Sequence, residues 1–220
     1  MRSLVILCLA AWCVSCASRP DIRYYQLRVD DDAMAKADEP SDVVFSVEAM
    51  IGDSAYEDPR IVYRTSPYRL DYYHYHRWTA PPGVMISDFL RDAYAQSGYF
   101  DSVVAGFSPE ASVFLSGRVI AFEEVDVEKG RWLARVKMHL FLREAASGDV
   151  VWSRTVHEEV PVGEQTPEGV AAAMSTAVTQ IVADTAPEFA KIARQARDRA
   201  NRRKSRQKAV EGLGPQEPQL

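Results

Sequence analysis

The densest group of side chains that could do chemistry is "YYHYHRW", residues Tyr72 to Trp78. His74 and His76 stand two residues apart, which on a β-strand places both imidazoles on one face. That spacing can ligate zinc, but a zinc site needs a third ligand and groups that orient the ligands. The other histidines are His139 and His157, and His139 lies among basic residues where a cation is unfavourable. The sequence therefore favours surface histidines over a metal site.

The same stretch could instead be a contact surface. Strict strand alternation places one set of side chains on one face and the other set on the opposite face: Tyr72, His74, His76 and Trp78 against Asp71, Tyr73, Tyr75 and Arg77. Exposed Tyr and His are good contact residues for a partner, although tyrosines also simply suit a half-buried strand. Both interpretations stay open, and the candidate partner contacts are Tyr72, Tyr73, His74, Tyr75, His76, Arg77 and Trp78.

Catalytic patterns are missing from the sequence. There is no GxSxG motif, and the glycines are scattered singly, so no glycine-rich phosphate loop is predicted. Carboxylates are abundant in "EEVDVE" (123–128) and "HEEV" (157–160), which we expect at strand edges with solvated outer faces. The sequence therefore predicts neither an enzyme nor a cofactor.

The amino terminus predicts export. A single arginine precedes the apolar run Leu4 to Trp12, which is too short to span a bilayer and is typical of a secretory signal over residues 1–15. Val14 and Ser15 precede Cys16 in a pattern that resembles the lipobox of bacterial lipoproteins, so Cys16 is the predicted lipid-attachment site. The alternative is an ordinary cleaved signal with incidental cysteines.

The cysteines agree with lipidation. All three lie in the first 16 residues, so a chain cleaved before an acylated Cys16 retains no free thiol or disulfide. A thiol enzyme and a cysteine-ligated zinc site are then excluded. Ala17 follows Cys16, rather than the aspartate that resembles an inner-membrane retention signal, and by that resemblance the destination is the outer membrane, facing the periplasm.

The carboxyl terminus is strongly basic. Lys191 to Lys208 holds nine Lys or Arg against one Asp, a net charge of +8, which leaves about −13 for the remainder of a chain whose net charge is −5. Such a tail could bind anionic lipid, peptidoglycan or an acidic partner, or it could be a solvated helical extension. Nucleic acid is not an expected partner of an exported protein.

One domain is expected between the two ends. Residues 16–42 supply the lipidated N-terminus, a first strand ("RYYQLRV") and an acidic loop. Residues 43–189 supply the rest of the domain, and residues 190–220 a basic helical or disordered tail. Residues 131–144 give the cleanest alternation, typical of a strand with one buried face. Residues 111–129 predict a long strand in which Gly117 is a candidate bulge.

Two helices interrupt the strands. An apolar stripe at helical spacing predicts the first from about Val84 to Ser97. Thr166 is the expected N-cap of the second, and Pro187 should end or kink it. The predicted fold class is therefore α+β, with a mostly antiparallel sheet and two helices packed on one face.

The order of motifs resembles the ABC-type transport auxiliary lipoproteins. The resemblance covers about Ile22 to Pro187 and rests on the following positions in order: Tyr25-Gln26-Leu27, Ile61 to Arg64, Tyr72-Tyr73, Arg77-Trp78, the Pro81-Pro82 helix entry, Ser97 to Phe100 and Leu115 to Gly117. His74, His76 and the basic tail lie outside the pattern.

The resemblance implies a periplasmic, outer-membrane lipoprotein that assists a transport system. Its partners would be a mammalian-cell-entry-domain protein and the ABC and permease components that move lipids between the inner and outer membranes, and a homo-oligomer is also open. The alternative is an envelope scaffold or assembly lipoprotein that binds peptidoglycan or anionic lipid through its basic tail.

Overall fold

The computed structural model describes residues 20–30, 34, 36–37 and 42–211. The signal segment and Cys16 lie outside these residues, as does most of the acidic loop. Lipid attachment at Cys16 therefore stays a prediction.

The described residues form a nine-stranded sheet and two long helices. The strands are β1 (Arg23–Tyr25), β2 (Val44–Val47), β3 (Ile51–Gly52), β4 (Arg60–Ser66), β5 (Arg69–Trp78), β6 (Ser102–Ala105), β7 (Ala111–Glu128), β8 (Arg131–Glu144) and β9 (Val150–Pro161). The helices are α1 (Pro82–Gln96) and α2 (Pro167–Glu211). The long strand β7 organises the sheet: β8 pairs along one side of it, while β2, β3 and β4 share the other side.

The α+β class is confirmed, and the sheet is mixed rather than purely antiparallel. The β4–β5, β7–β8 and β8–β9 pairs are antiparallel, whereas β1–β5, β2–β6, β2–β7, β3–β7 and β4–β7 are parallel. Alternation reveals which face of a strand is buried, but it carries no information on the direction of the neighbouring strand. The sequence therefore predicted the antiparallel pairing and missed the parallel pairs.

The alternation in β8 is confirmed. One face of β8 is fully buried and consists of Ala134, Val136, Met138, Leu140 and Leu142. The helix α2 packs over this hairpin and over β7. Burial of these apolar side chains against α2 fixes the register, because a slip by one residue would turn the whole set towards solvent.

Both helices begin close to where the sequence predicts. The side chain of Thr166 accepts a hydrogen bond from the backbone N–H of Gly169 at 3.0 Å, so Thr166 caps α2 as expected. Pro187 does not end this helix, which continues to Glu211. The side chain of Pro187 is exposed while Phe189 and Ala190 are buried, so packing on the sheet side holds the helix together across the proline.

Aromatic rings join the helices to the sheet. Phe45 on β2 stacks on Phe100 at 4.3 Å and lies edge-on to Tyr94 of α1 at 5.1 Å. The hydroxyls of Tyr94 and Thr185 are 2.7 Å apart, which links α1 to α2 inside the core. Each buried aromatic ring contributes a large apolar area, and the shared hydrogen bond satisfies the polar groups buried with them.

Gly117 lies within the β7–β8 ladder rather than at a bulge. It pairs with Leu140, and the register shifts farther along, between Val119 and Ala121. A Cβ at residue 117 would lie 2.7 Å from the carbonyl oxygen of His139 and 2.9 Å from the sulfur of Met50. Residue 117 is therefore a glycine because the backbone of β8 approaches it too closely for a side chain, and not because the strand bulges there.

Candidate functional site

The strand β5, which carries the candidate contact residues, lies between β1 and β4. Its pairing with β4 is irregular: Arg60 lies opposite Arg77, but Val62 lies opposite Tyr72. Four residues of β5 therefore face a single residue of β4, which is a bulge of three extra residues. A bulge re-aims the side chains that follow it.

The bulge overturns the strict alternation predicted for this strand. Tyr73 donates a hydrogen bond to Glu124, and Trp78 packs on Phe122 with ring centroids 5.0 Å apart. Glu124 and Phe122 lie on the same face of β7, so Tyr73 and Trp78 share a face although they are an odd number of residues apart. The ring of His76 joins them there, 5.5 Å from Tyr73. Alternation failed because it assumes one residue per pleat throughout.

Most of the candidate contact residues have internal roles. Trp78 is in the core at 1% exposure. A partly buried group consists of Tyr72, Tyr73, His76 and Arg77, and only His74 and Tyr75 are exposed. Nε of Arg77 and Nε1 of Trp78 are buried without a hydrogen-bond partner among the described residues. A partner that docks on the intact domain would therefore meet His74 and Tyr75 first.

A line of polar contacts connects β1 to the centre of the sheet. The hydroxyl of Tyr25 lies 2.8 Å from Nδ1 of His76, whose ring packs against Tyr73. Tyr73 in turn donates to Oε2 of Glu124 at 2.9 Å. The line fixes β1, and with it the chain that leads back to the amino terminus, to the interior strand β7. The sequence identified Tyr25 only as part of the family motif and gave no sign of its contact with His76.

Two titratable groups in this line are shifted by burial. Burial raises the pKa of Glu124 to about 7, against the hydrogen bond from Tyr73, which acts to lower it. Burial also lowers the pKa of His76, and the charge of Arg23 acts in the same direction. Glu124 therefore changes charge near neutral pH inside the fold, and the lowered pKa of His76 favours its neutral form.

The opposite face of the sheet holds a second carboxylate. Glu123 is 1% exposed and accepts hydrogen bonds from Arg64 at 2.7 and 3.1 Å, from Arg135 at 3.2 Å and from the hydroxyl of Tyr56 at 2.7 Å. Burial and the neighbouring Glu123 raise the pKa of Tyr56 well above its usual value. This carboxylate is fully engaged by groups of its own chain, so it ties β4, β7 and β8 together rather than reacting with a substrate.

The prediction that "EEVDVE" has a solvated outer face is wrong for its first two residues. Glu123 and Glu124 are each 1% exposed and point to opposite faces of β7. The doublet lies in the central strand β7, and the partners of Glu123 come from β4 and β8, on either side of it. The long apolar run before it, "VFLSGRVIAF", was the available sign that the strand is central.

The four histidines lie in two regions of the sheet, with His74 and His76 on β5 and His139 and His157 on the paired strands β8 and β9. Among the described residues, no cluster of three His, Cys, Asp or Glu side chains could hold a metal ion. His139 contacts the hydroxyls of Ser153 and Thr155, each at 3.1 Å, on the face of the sheet away from the helices. Its ring packs loosely against Phe141 at 6.5 Å.

A groove runs beside β1. It has a volume of about 680 Å³ and lies between the segment 23–30 and the first turns of α2. The backbone N–H groups of Arg28 and Asp30 donate to the hydroxyls of Ser175 and Thr179, which ties this segment to α2. A second groove of about 540 Å³ lies on the opposite face, beside Arg64 and Arg135.

Comparison with known proteins decides the family. A family model for the ABC-type transport auxiliary lipoprotein component matches residues 25–186. The chain belongs to this family. The match begins at Tyr25, the last residue of β1, and ends within α2, so it includes the strands β2 to β9 in full. The resemblance drawn from the sequence motifs is confirmed.

Solved structures show the same fold. A protein from Xanthomonas campestris assigned to the DUF330 family is 23% identical, with a TM-score of 0.69, and the alignment covers 82% of this chain and 99% of that one. An uncharacterized protein is 17% identical, with a TM-score of 0.61, and the alignment covers 77% of this chain and 99% of that one. No curated protein matches the chain.

None of the helices among the described residues is long and apolar enough to cross a membrane.

Proposed function

We propose that the chain is an outer-membrane-anchored periplasmic lipoprotein, held by an acyl group on Cys16, and that it assists an ABC-type system carrying a mammalian-cell-entry-domain protein. The system moves lipids between the inner and outer membranes. The observation that carries the proposal is the family match over residues 25–186, which include the strands β2 to β9 and α1. The buried carboxylates support a binding role, because Glu123 and Glu124 are engaged by arginine and tyrosine groups of the fold itself.

The proposed partner contact is centred on His74 and Tyr75. These two side chains are the exposed members of the aromatic strand, and they lie beside β1, whose free edge faces away from β5. Tyrosine supplies a large, rigid contact area together with a hydroxyl, which suits it to the centre of an interface. The transport protein with mammalian-cell-entry domains is the proposed occupant, and a homo-oligomer is a second use of the same surface.

Site-specific cross-linking tests the contact. A photoreactive phenylalanine derivative replaces Tyr75 in one variant and Val84 of α1 in another, in the full chain in its native envelope. Val84 is a matched control because it is also about half exposed, at 52% against 46% for Tyr75. We expect adducts with a transport component from residue 75 only. Equal adducts from both positions, or none from residue 75, would remove Tyr75 from the interface.

The scaffold alternative is favoured by one observation, the exposed basic end of α2. Residues 201–209 are all exposed, so their removal should leave the domain intact. A scaffold that binds the cell wall through this segment loses its envelope retention when residues 202–220 are deleted. A transport lipoprotein retained by acylated Cys16 keeps its place in the membrane in the same experiment.

A further inference from the structure

One end of the sheet holds two exposed turns and the beginning of α2. Arg64 of β4 pairs with Val125 of β7, so both strands reach their last residues at this end. The β4–β5 turn at residues 67–68 and the β7–β8 turn at residues 129–130 therefore lie there together. The side chain of Gln165, just before α2, donates to a carbonyl oxygen of the β7–β8 turn at 2.7 Å. We call this part of the domain the turn end.

The chain before β1 leads towards the turn end. Strand β1 is parallel to β5, which starts at the β4–β5 turn, so the residues before Arg23 lead back along β5 towards that turn. The contacts with α2 give the same direction. Arg28 donates to Ser175 through its backbone N–H. Asp30 donates in the same way to Thr179, one helical turn farther from the turn end.

The predicted anchor lies close to the described chain. Pro20 is the fourth residue after Cys16, and an extended chain spans at most about 3.5 Å per residue, so Cys16 lies within about 14 Å of Pro20. An acyl group on Cys16 is buried in the bilayer, which keeps the membrane surface within a similar distance of Pro20. The short connection and its direction together place the turn end beside the membrane.

The β4–β5 turn carries a side chain that suits lipid headgroups. Tyr68 is 99% exposed, the highest value among the large apolar side chains that the structure describes. Tyrosine is enriched at membrane–water interfaces because its ring is apolar and its hydroxyl is polar. Residues 66–69 include no Asp or Glu, so this turn can enter the headgroups without desolvating a carboxylate. The β7–β8 hairpin carries Glu128, paired with Arg131 at 3.2 Å, and suits entry less well.

We infer that the turn end faces the membrane that holds the chain, and that the ring of Tyr68 lies among its lipid headgroups. The inference rests on the proposed acylation of Cys16 and adds an orientation and a second membrane contact to it. The occupant is the lipid surface of the chain's own membrane, because the four residues after Cys16 cannot reach beyond it.

The proposed partner contact stays clear of this membrane. His74 and Tyr75 follow Tyr72, which pairs with Val62 of β4. Val62 lies four residues before the last residue of β4, a distance of about 13 Å along the strand. A domain that rests on its turn end therefore leaves His74 and Tyr75 available to a transport component.

The test uses a nitrobenzoxadiazole label on single introduced cysteines. The full, acylated chain is reconstituted into vesicles of phosphatidylethanolamine and phosphatidylglycerol. All three natural cysteines lie in the first 16 residues, so the processed chain offers no other free thiol. Tyr68→Cys carries the probe, and its exposure means that the change removes no buried contact.

Phe107→Cys is the matched control. Phe107 is 82% exposed and stacks on Phe114, near the first residue of β7. The 11 residues of β7 from Phe114 to Val125 extend over about 35 Å towards the turn end. We expect the label at residue 68 to shift its emission to the blue and to lose most of it to nitroxide-bearing lipids. We expect the label at residue 107 to keep its emission.

Three results would overturn the inference. Equal quenching at residues 68 and 107, or none at residue 68, in a sample whose amino-terminal peptide is acylated would remove the orientation and leave the anchor and the transport role in place. Quenching of a label in Tyr24→Cys, 61% exposed on β1, without quenching at residue 68 would place the free edge of β1 on the membrane. An unmodified Cys16 would overturn the inference together with the proposed anchor.

Discussion

At the scale of single residues, Glu124 links stability to pH. Its pKa is raised from 4.5 to about 7 because the side chain is buried. A carboxyl with a raised folded-state pKa stabilises the fold below pH 4.5 as the neutral acid, and that contribution is lost as the pH rises through 7. The shift corresponds to about 3 kcal/mol as an upper bound, at about 1.4 kcal/mol per pKa unit.

We expect Glu124→Gln to remove the loss of stability that occurs as the pH rises through 7. The amide oxygen can still accept the hydrogen bond from Tyr73, and the side chain no longer ionises. We expect the variant to be more stable than the natural chain at pH 8 and similar to it at pH 4.5, measured as free energy of unfolding in urea. Glu128→Gln is the control, because Glu128 is 71% exposed. If both variants have the same free energy of unfolding as the natural chain at every pH, Glu124 does not link stability to pH.

The stability of the fold around Glu123, on the opposite face, depends on the arginines that neutralise this buried carboxylate. Arg64→Ala removes two of the hydrogen bonds to this buried carboxylate, and we expect a loss of about 2–4 kcal/mol in the free energy of unfolding, because a buried charge is left partly uncompensated. Arg69→Ala in the same hairpin breaks the exposed pair with Asp71 and should change stability by about 0.5 kcal/mol or less. Similar losses in the two variants would show that the buried pair contributes no more to the free energy of unfolding than the exposed pair.

At the scale of elements, α2 combines a packed part and a projecting part. Ala190, Ala193 and Ala196 are fully buried, whereas residues 201–209 are exposed. We expect deletion of residues 202–220 to leave the thermal unfolding midpoint within about 2 °C, since it removes little burial. Deletion from residue 190 should lower the midpoint clearly, because it opens the core beside Phe189. A large drop from the shorter deletion would show that the projecting turns are packed against the domain.

The strands also show which structural features the sequence patterns could predict and which they could not. The period of two in β8 predicted both the strand and its buried face, because a strand with one solvated face must alternate. The same period failed in β5, where a bulge opposite a single residue of β4 shifts Trp78 onto the face of Tyr73. A bulge depends on the partner strand, which is distant in sequence. The partners of Glu123 were missed for the same reason, since Arg64 and Arg135 come from two other strands.

At the scale of the whole molecule, the sheet connects β1, near the amino terminus, to the long helix α2. Strand β1, which follows the predicted lipid anchor, is fixed to the sheet by Tyr25 and His76. The exposed residues 201–209 lie near the other end of α2, far along the helix from its first turns beside β1. The aromatic surface at His74 and Tyr75 lies beside β1. In the proposed arrangement, the chain is held in its own membrane through the predicted anchor before β1, and His74 and Tyr75 are the proposed contact surface for a transport component.

The most direct test of this account is purification of the full chain from cross-linked envelopes, with a tag beyond Leu220, followed by identification of the bound proteins and the mass of the amino-terminal peptide. The account predicts an acylated Cys16 together with ABC, permease or mammalian-cell-entry-domain components of one transport system. Recovery of an acylated chain with cell-wall or assembly proteins alone would contradict the transport role and leave the scaffold in its place.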